Sequence, residues 1–116
     1  MSKQELRILL KKVGKEPKIM NIENTLKAKQ KLVKGLIEVI SINKNILLIC
    51  NEEGKIENLK PNLKFEYDTI VGDCFFIGDD FENAGFRSLS DEEIEEVKEL
   101  LEKVSVLPDS DEKEMI

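Results

Sequence analysis

The chain has 116 residues, near the commonest size of a single domain and long enough to bury a core without disulfides or metals. Hydrophobic residues make up 41% and charged residues 36%, and no apolar run approaches the roughly 20 residues that cross a bilayer. Histidine is absent, which removes the commonest general base, the commonest metal ligand and every Ser-His or Cys-His nucleophile pair.

In chain order, Leu6, Ile8 and Leu10 alternate with Arg7, Leu9 and Lys11, which predicts an opening strand with one buried face. Gly14 and Lys15-Glu16-Pro17 supply a turn, and Lys18 to Ile22 reads as a second extended piece. Asn24 is expected to cap a helix over 25–34 that Gly35 ends. On that helix Leu26, Ala28, Leu32 and Val33 gather on one side, while Lys27, Lys31 and Lys34 form an opposite basic stripe.

Leu36 to Ile42 and Ile46 to Cys50 read as a hairpin around Asn43-Lys44-Asn45, residues that tolerate positive φ. Asn51-Glu52-Glu53-Gly54 is a second turn, Lys55 to Leu59 an extension of the meander, and Lys60-Pro61-Asn62 an interruption. Asp68 to Ile77 reads as one central strand with a bulge at Gly72, followed by a polar loop from Asp79 to Gly85. Ser90 and Glu93 form a capping box with Leu89 as staple against Ile94, and Ile94, Val97, Leu100, Leu101 and Val104 recur at helical period.

The expected fold is α+β: an antiparallel or mixed sheet of about five strands with two helices on one side, the C-terminal amphipathic helix packed on the sheet. Residues 1–107 make the single domain, and the acidic stretch 108–116, with little to bury, is expected to be disordered.

Net charge is −6 but uneven: residues 1–36 hold ten Lys and Arg against three acids, and the remainder eight against twenty-one. The basic third suggests nucleic-acid binding through Lys27, Lys31 and Lys34; scarce aromatic residues and overall negative charge argue instead for a solvated helix face. Asp73, Asp79 and Asp80, with Glu82, are the carboxylates that a metal-dependent hydrolase would use, although a solvated loop explains them without metal. Cys50 and Cys74 lie in apolar segments and are expected as buried free thiols in a reducing compartment, a cross-strand pair being the alternative. With no Cys-x-x-Cys pair, phosphate-binding glycine loop or nucleophile elbow, a protein that binds rather than catalyses is expected, with no cofactor. The N-terminus lacks the apolar stretch of a signal peptide, so the cytoplasm is the expected compartment and no membrane partner is foreseen. Polar residues at strand ends and turns, Asn51, Glu52, Asn62, Asp68 and Arg87, are the candidate ligand-binding set.

Gly35-Leu36-Ile37-Glu38-Val39, Cys50-Asn51-Glu52-Glu53-Gly54-Lys55, Pro61-Asn62, Ile70-Val71-Gly72 and Gly78-Asp79 before Leu89-Ser90, in this order and spacing, resemble the domain-of-unknown-function family numbered 3846. The resemblance covers Leu6 to Leu101. It implies an accessory protein of a phage or mobile element that occupies a host factor or sequesters a small ligand, and it carries over no site. In that family an arginine often follows the Pro-Asn pair; Leu63 stands there in this chain, so any ligand contact made by that arginine is lost.

Overall fold

The protein, a computed structural model described over residues 4–106, runs β1 (Glu5–Lys11), β2 (Lys18–Glu23), α1 (Leu26–Val33), β3 (Ile37–Ser41) and β4 (Ile46–Asn51). It continues with β5 (Pro61–Lys64), β6 (Thr69–Val71), β7 (Cys74–Asp80), β8 (Gly85–Arg87) and α2 (Asp91–Val104). The predicted tail 108–116 lies outside the described residues. Among those residues the main sheet has six strands, ordered β2-β1-β7-β4-β3, with β8 paired to the end of β7 that β1 does not reach. Every pairing is antiparallel, and β5 and β6 form a separate hairpin.

The three central strands are apolar on both pleat faces and need cover on each. Leu9, Leu48, Cys50, Cys74 and Phe76 face Ile94, Val97 and Leu101 of α2, together with Leu63 and Ile70 of the small hairpin. Ile8, Leu10, Leu47, Ile49, Phe75 and Ile77 face Val33 and Leu32 of α1. The two helices therefore sit on opposite faces instead of one, and β1 is buried on both sides instead of one. The unbroken pair Leu9-Leu10 carries that two-sided demand.

Several local expectations give way to specific competitors. Thr25, not Asn24, is the N-cap of α1, its hydroxyl accepting from Ala28 N at 3.1 Å. Asn24 is taken instead by Gln4 and Lys29. At the other end Lys34, not Gly35, takes the left-handed conformation at φ 63°. That costs about 1 kcal/mol for a residue with a side chain, and the Asn51 amide offsets it by donating to the Val33 and Lys34 carbonyls. The Asn43 turn closes through its own side-chain oxygen, which accepts from Asn45 N and Ile46 N, and not through positive φ.

Residues 55–59 form no strand; Glu57 N and Leu59 N fold back on Glu53 O and Gly54 O, and Asn58 ends the coil at φ 57°. Pro61 begins β5 instead of interrupting, a place where a missing N–H is tolerated. The segment 68–77 is two strands in different sheets, because Gly72 at φ 80° turns the chain out of one ladder and into the other. The capping box at Ser90 and Glu93 forms as expected.

Asn62, fully buried, joins the small hairpin to the main sheet. Its Nδ2 donates to the Lys11 carbonyl at 2.8 Å and the Gly72 carbonyl at 2.9 Å. Its Oδ1 accepts from Lys11 Nζ at 3.0 Å, and its backbone carbonyl accepts from Val106 N at 2.9 Å. Replacing Asn62 by Ala would remove the donor to two buried carbonyls and one of the two acceptors of the buried Lys11 amine, and unpaired buried groups cost about 1–3 kcal/mol each. We expect Asn62→Ala to lower unfolding free energy by at least about 3 kcal/mol in urea titration, whereas Asn83→Ala, on an exposed turn, should stay within about 0.5 kcal/mol of wild type.

Candidate functional site

Beside the Asn62 joint a cleft of about 780 Å³ opens between the β1–β2 loop and the C-terminal half of α2. That volume suits a small-molecule ligand, for which pockets of roughly 300–1,000 Å³ are usual. Lys11 forms its floor, Lys15, Glu16 and Pro17 one wall, and Lys98, Leu101 and Glu102 the other. The walls are fixed from below. Asp73 accepts from Val13 N at 2.9 Å and so holds the loop, while the bond from Val106 N to Asn62 O and the bridge between Leu63 and Ser105 hold the end of α2.

Lys11 is only 3% exposed. Its amine has two acceptors among the described residues, Asn62 Oδ1 and the Lys12 carbonyl, each at 3.0 Å. Both are neutral, and among the described residues no carboxylate bonds the amine directly. Burial lowers its pKa from the ordinary lysine value, with Cys74, Glu16 and Asp73 opposing. In either protonation state one valence is left over: a third N–H on the ammonium or a lone pair on the amine.

The expected site residues divide. Glu52, Asp68 and Asn51 do converge, on a notch of about 140 Å³ between the turn after β4 and the small hairpin. It has room for a few waters at roughly 30 Å³ each. Asn51 there is buried and occupied by the α1 carbonyls, Glu57 and Glu53 N. Asp68 pairs with Lys55 and caps Thr69 N, which holds its carboxyl below the ordinary range. Cys50 lines the same notch as a free thiol pushed up to about 12 by burial, and Cys74 is likewise free and buried.

Arg87 stands apart from both places. Its five N–H groups are all taken, by Asp79 O, Ser88 O, Asn45 O and both oxygens of Glu93. A ligand there would have to displace one of these. Gly78 makes room for that guanidinium, since a Cβ at this position would collide with it. Asn62 lines neither opening but sits directly beneath the cleft.

Lys27 and Lys31 are exposed on α1 and Lys34 is exposed at its C-cap, where Asp73 holds it at 3.5 Å. Asp73 precedes β7 and Asp79 and Asp80 end it, so Asp73 stands roughly 20 Å along an extended strand from the other two and the three do not share one site. Among the described residues no group of three or more metal-ligating side chains converges.

Sequence reasoning put Lys11 on the exposed face of the first strand, beside the basic stripe, and missed its burial and the cleft. The available signal was the Leu9-Leu10 step: a strand apolar on both faces places Lys11 on the same face as Leu9, toward the core.

Residues 6–102 match the model of a family described as Domain of unknown function (DUF3846). No curated protein and no solved structure matches the chain. Among the described residues no helix is long and apolar enough to cross a membrane.

The Arg87–Glu93 pair generates a pH prediction. Hydrogen bonds from Arg87 hold the Glu93 carboxyl below its ordinary 4.5, with burial opposing. A depressed folded-state pKa adds stability above the unfolded value and loses it as pH falls through the folded value. Glu93→Gln, which can still complete the capping box, should cost about 1 kcal/mol at pH 7 and flatten the loss of stability below pH 4.5. Urea midpoints between pH 3 and 7 would check this; an unchanged acid limb would contradict the assignment.

Proposed function

The chain belongs to the DUF3846 family of domains of unknown function, and on that premise we propose that it is a non-catalytic binding protein whose cleft between the β1–β2 loop and α2 takes a small anionic molecule. The observation that carries this reading is Lys11, a buried lysine with a valence to spare at the floor of an opening of ligand size. With Lys11 protonated, Lys15 and Lys98 on the walls against Glu16 and Glu102 leave the lining one positive charge in excess, Lys98 also reaching Glu95 at 3.6 Å, in a chain of net charge −6. Such a local reversal of sign favours an anion over the surrounding surface. Sequestration of a small ligand is thereby preferred to occupation of a host protein. As part of the same reading we take the protein to act in the cytosol of a bacterial host, as an accessory of a phage or mobile element. The two reduced core thiols support that compartment, and the family resemblance supports the context.

Thermal melting of the full chain with inorganic phosphate, nucleotides and small carboxylic acids tests the proposal. A ligand at about a hundredfold excess over its Kd stabilises the native state by about 2.7 kcal/mol, so melting should rise by several degrees and scale with concentration. Lys15→Glu combined with Lys98→Glu should abolish the rise, and Lys27→Glu combined with Lys31→Glu should leave it intact. No rise with any compound, and no small molecule retained in native mass spectrometry, would overturn the reading.

A further inference from the structure

The main sheet ends at β3, which among the described residues has β4 on one side and no strand on the other. Glu52 N donates to Leu36 O and Ile42 N to Ile46 O, and bonded pairs alternate along an antiparallel ladder. Leu36, Glu38, Ile40 and Ile42 therefore spend their backbone groups on β4, while the N–H and C=O groups of Ile37, Val39 and Ser41 point away from the sheet. Natural edges are commonly blunted by lysine, proline or a bulge. β3 has none of these; its one charge is Glu38, and Val39 is 46% exposed. The opposite edge, β2, carries Lys18, Asn21 and Glu23 along its length. Carboxylates flank β3 on the α2 face of the sheet. Glu38 lies across the ladder from Cys50 and shares its face, beside the notch that Glu52 and Asp68 also line. At the other end Glu96 of α2 accepts from Asn43 Nδ2, just past the strand, at 3.0 Å. Of the bases close in sequence to these groups, Lys55 is already paired with Asp68 and Lys44 lies on the exposed turn.

We propose that β3 is a docking edge for an extended, basic segment of a partner protein, which adds a strand to the sheet. Backbone bonds to Ile37, Val39 and Ser41 supply affinity, and alternate side chains on the α2 face supply selectivity. A lysine or arginine at one end of the segment reaches the notch of about 140 Å³, its apolar stem against the exposed Ile56 and its charge toward Glu38 and Glu52. A second base about four residues along, and so on the same face, meets Glu96. Charge decides against a second copy of this chain as the occupant. Antiparallel pairing of two β3 edges about a two-fold axis brings like faces to the same side, setting Glu38 and Glu96 of one copy beside those of the other. A basic segment meets the same carboxylates with opposite charge. The edge lies on the far side of the sheet from the β1–β2 loop, so it stands whatever the cleft takes.

The probe is a fluorescein-labelled heptapeptide of alternating lysine and valine, titrated with the full chain and read by fluorescence anisotropy. A control peptide with proline in place of valine keeps the charge and removes the N–H groups that meet β3. The valine peptide should bind at least about tenfold more tightly than the control, as one or two net backbone bonds imply. Val39→Pro, which removes an outward N–H and leaves the bonds to β4 in place, should weaken binding by a similar factor. Glu38→Gln combined with Glu96→Gln should weaken it several-fold. Amide hydrogen exchange on the wild-type chain gives a readout that does not depend on a variant folding. The amides of Ile37, Val39 and Ser41 should gain protection when the valine peptide is added, while those of Glu38 and Ile40 exchange slowly with or without it. Equal binding of the two peptides, or no gain of protection at those three amides, would overturn the inference. So would a concentration-dependent dimer that Val39→Pro dissolves, because a second copy would then hold the edge.

Discussion

A fully buried asparagine amide holds the two sheets of this protein together. Asn62 spends both amide hydrogens on backbone carbonyls, one on β1 and one at the break between β6 and β7, and its oxygen on the Lys11 amine. The two carbonyls are buried, so each bond to them substitutes for a desolvation cost and not merely for a bond to water. The geometry that follows is broad. The small hairpin is fixed against the main sheet, the end of α2 is fixed against the hairpin through Asn62 O, and the space between α2 and the β1–β2 loop becomes the cleft. A residue that looks like ordinary turn chemistry in a Pro-Asn pair thus sets the position of the one lysine at the cleft's floor.

Elements whose signals are local were legible in the sequence. The capping box at Ser90 and Glu93 and the apolar period of α2 depend on residues within a turn or two of one another, and both form as read. The β3–β4 hairpin is similar, although the Asn43 side chain and not backbone φ closes it. Illegible features were those decided by distant partners. Gly72 looks like a bulge within one strand until it is seen that the pieces on either side pair with different sheets. Lys34 takes a conformation that Gly35 would take more cheaply, because the Asn51 amide, 17 residues on, holds the carbonyls there. No window of sequence contains that bond.

The candidate site shows the same division. Choosing polar residues at strand ends found Asn62, Asn51 and Arg87, groups that matter because they are saturated by the protein's own backbone and side chains. Saturation is what makes such residues good joints and poor ligand contacts. Lys11 was hidden by the opposite bias, since a lysine at a strand end reads as surface. Only the pairing of β1 with β7, which sets Leu9 against Phe76 and Lys11 against Cys74, shows that the side chain enters the core.

The central claim is that Asn62 keeps the Lys11 amine buried between neutral acceptors at the floor of a ligand-sized cleft. A pH titration of the lysine side-chain carbons by NMR, with Lys11→Arg used to assign the resonance, reads this directly. One lysine signal, missing from the variant, should lose its proton at a pH clearly below the ordinary value of 10.5. If the Lys11 resonance instead titrates with the surface lysines, the amine is solvated, and the account of both the joint and the site is wrong.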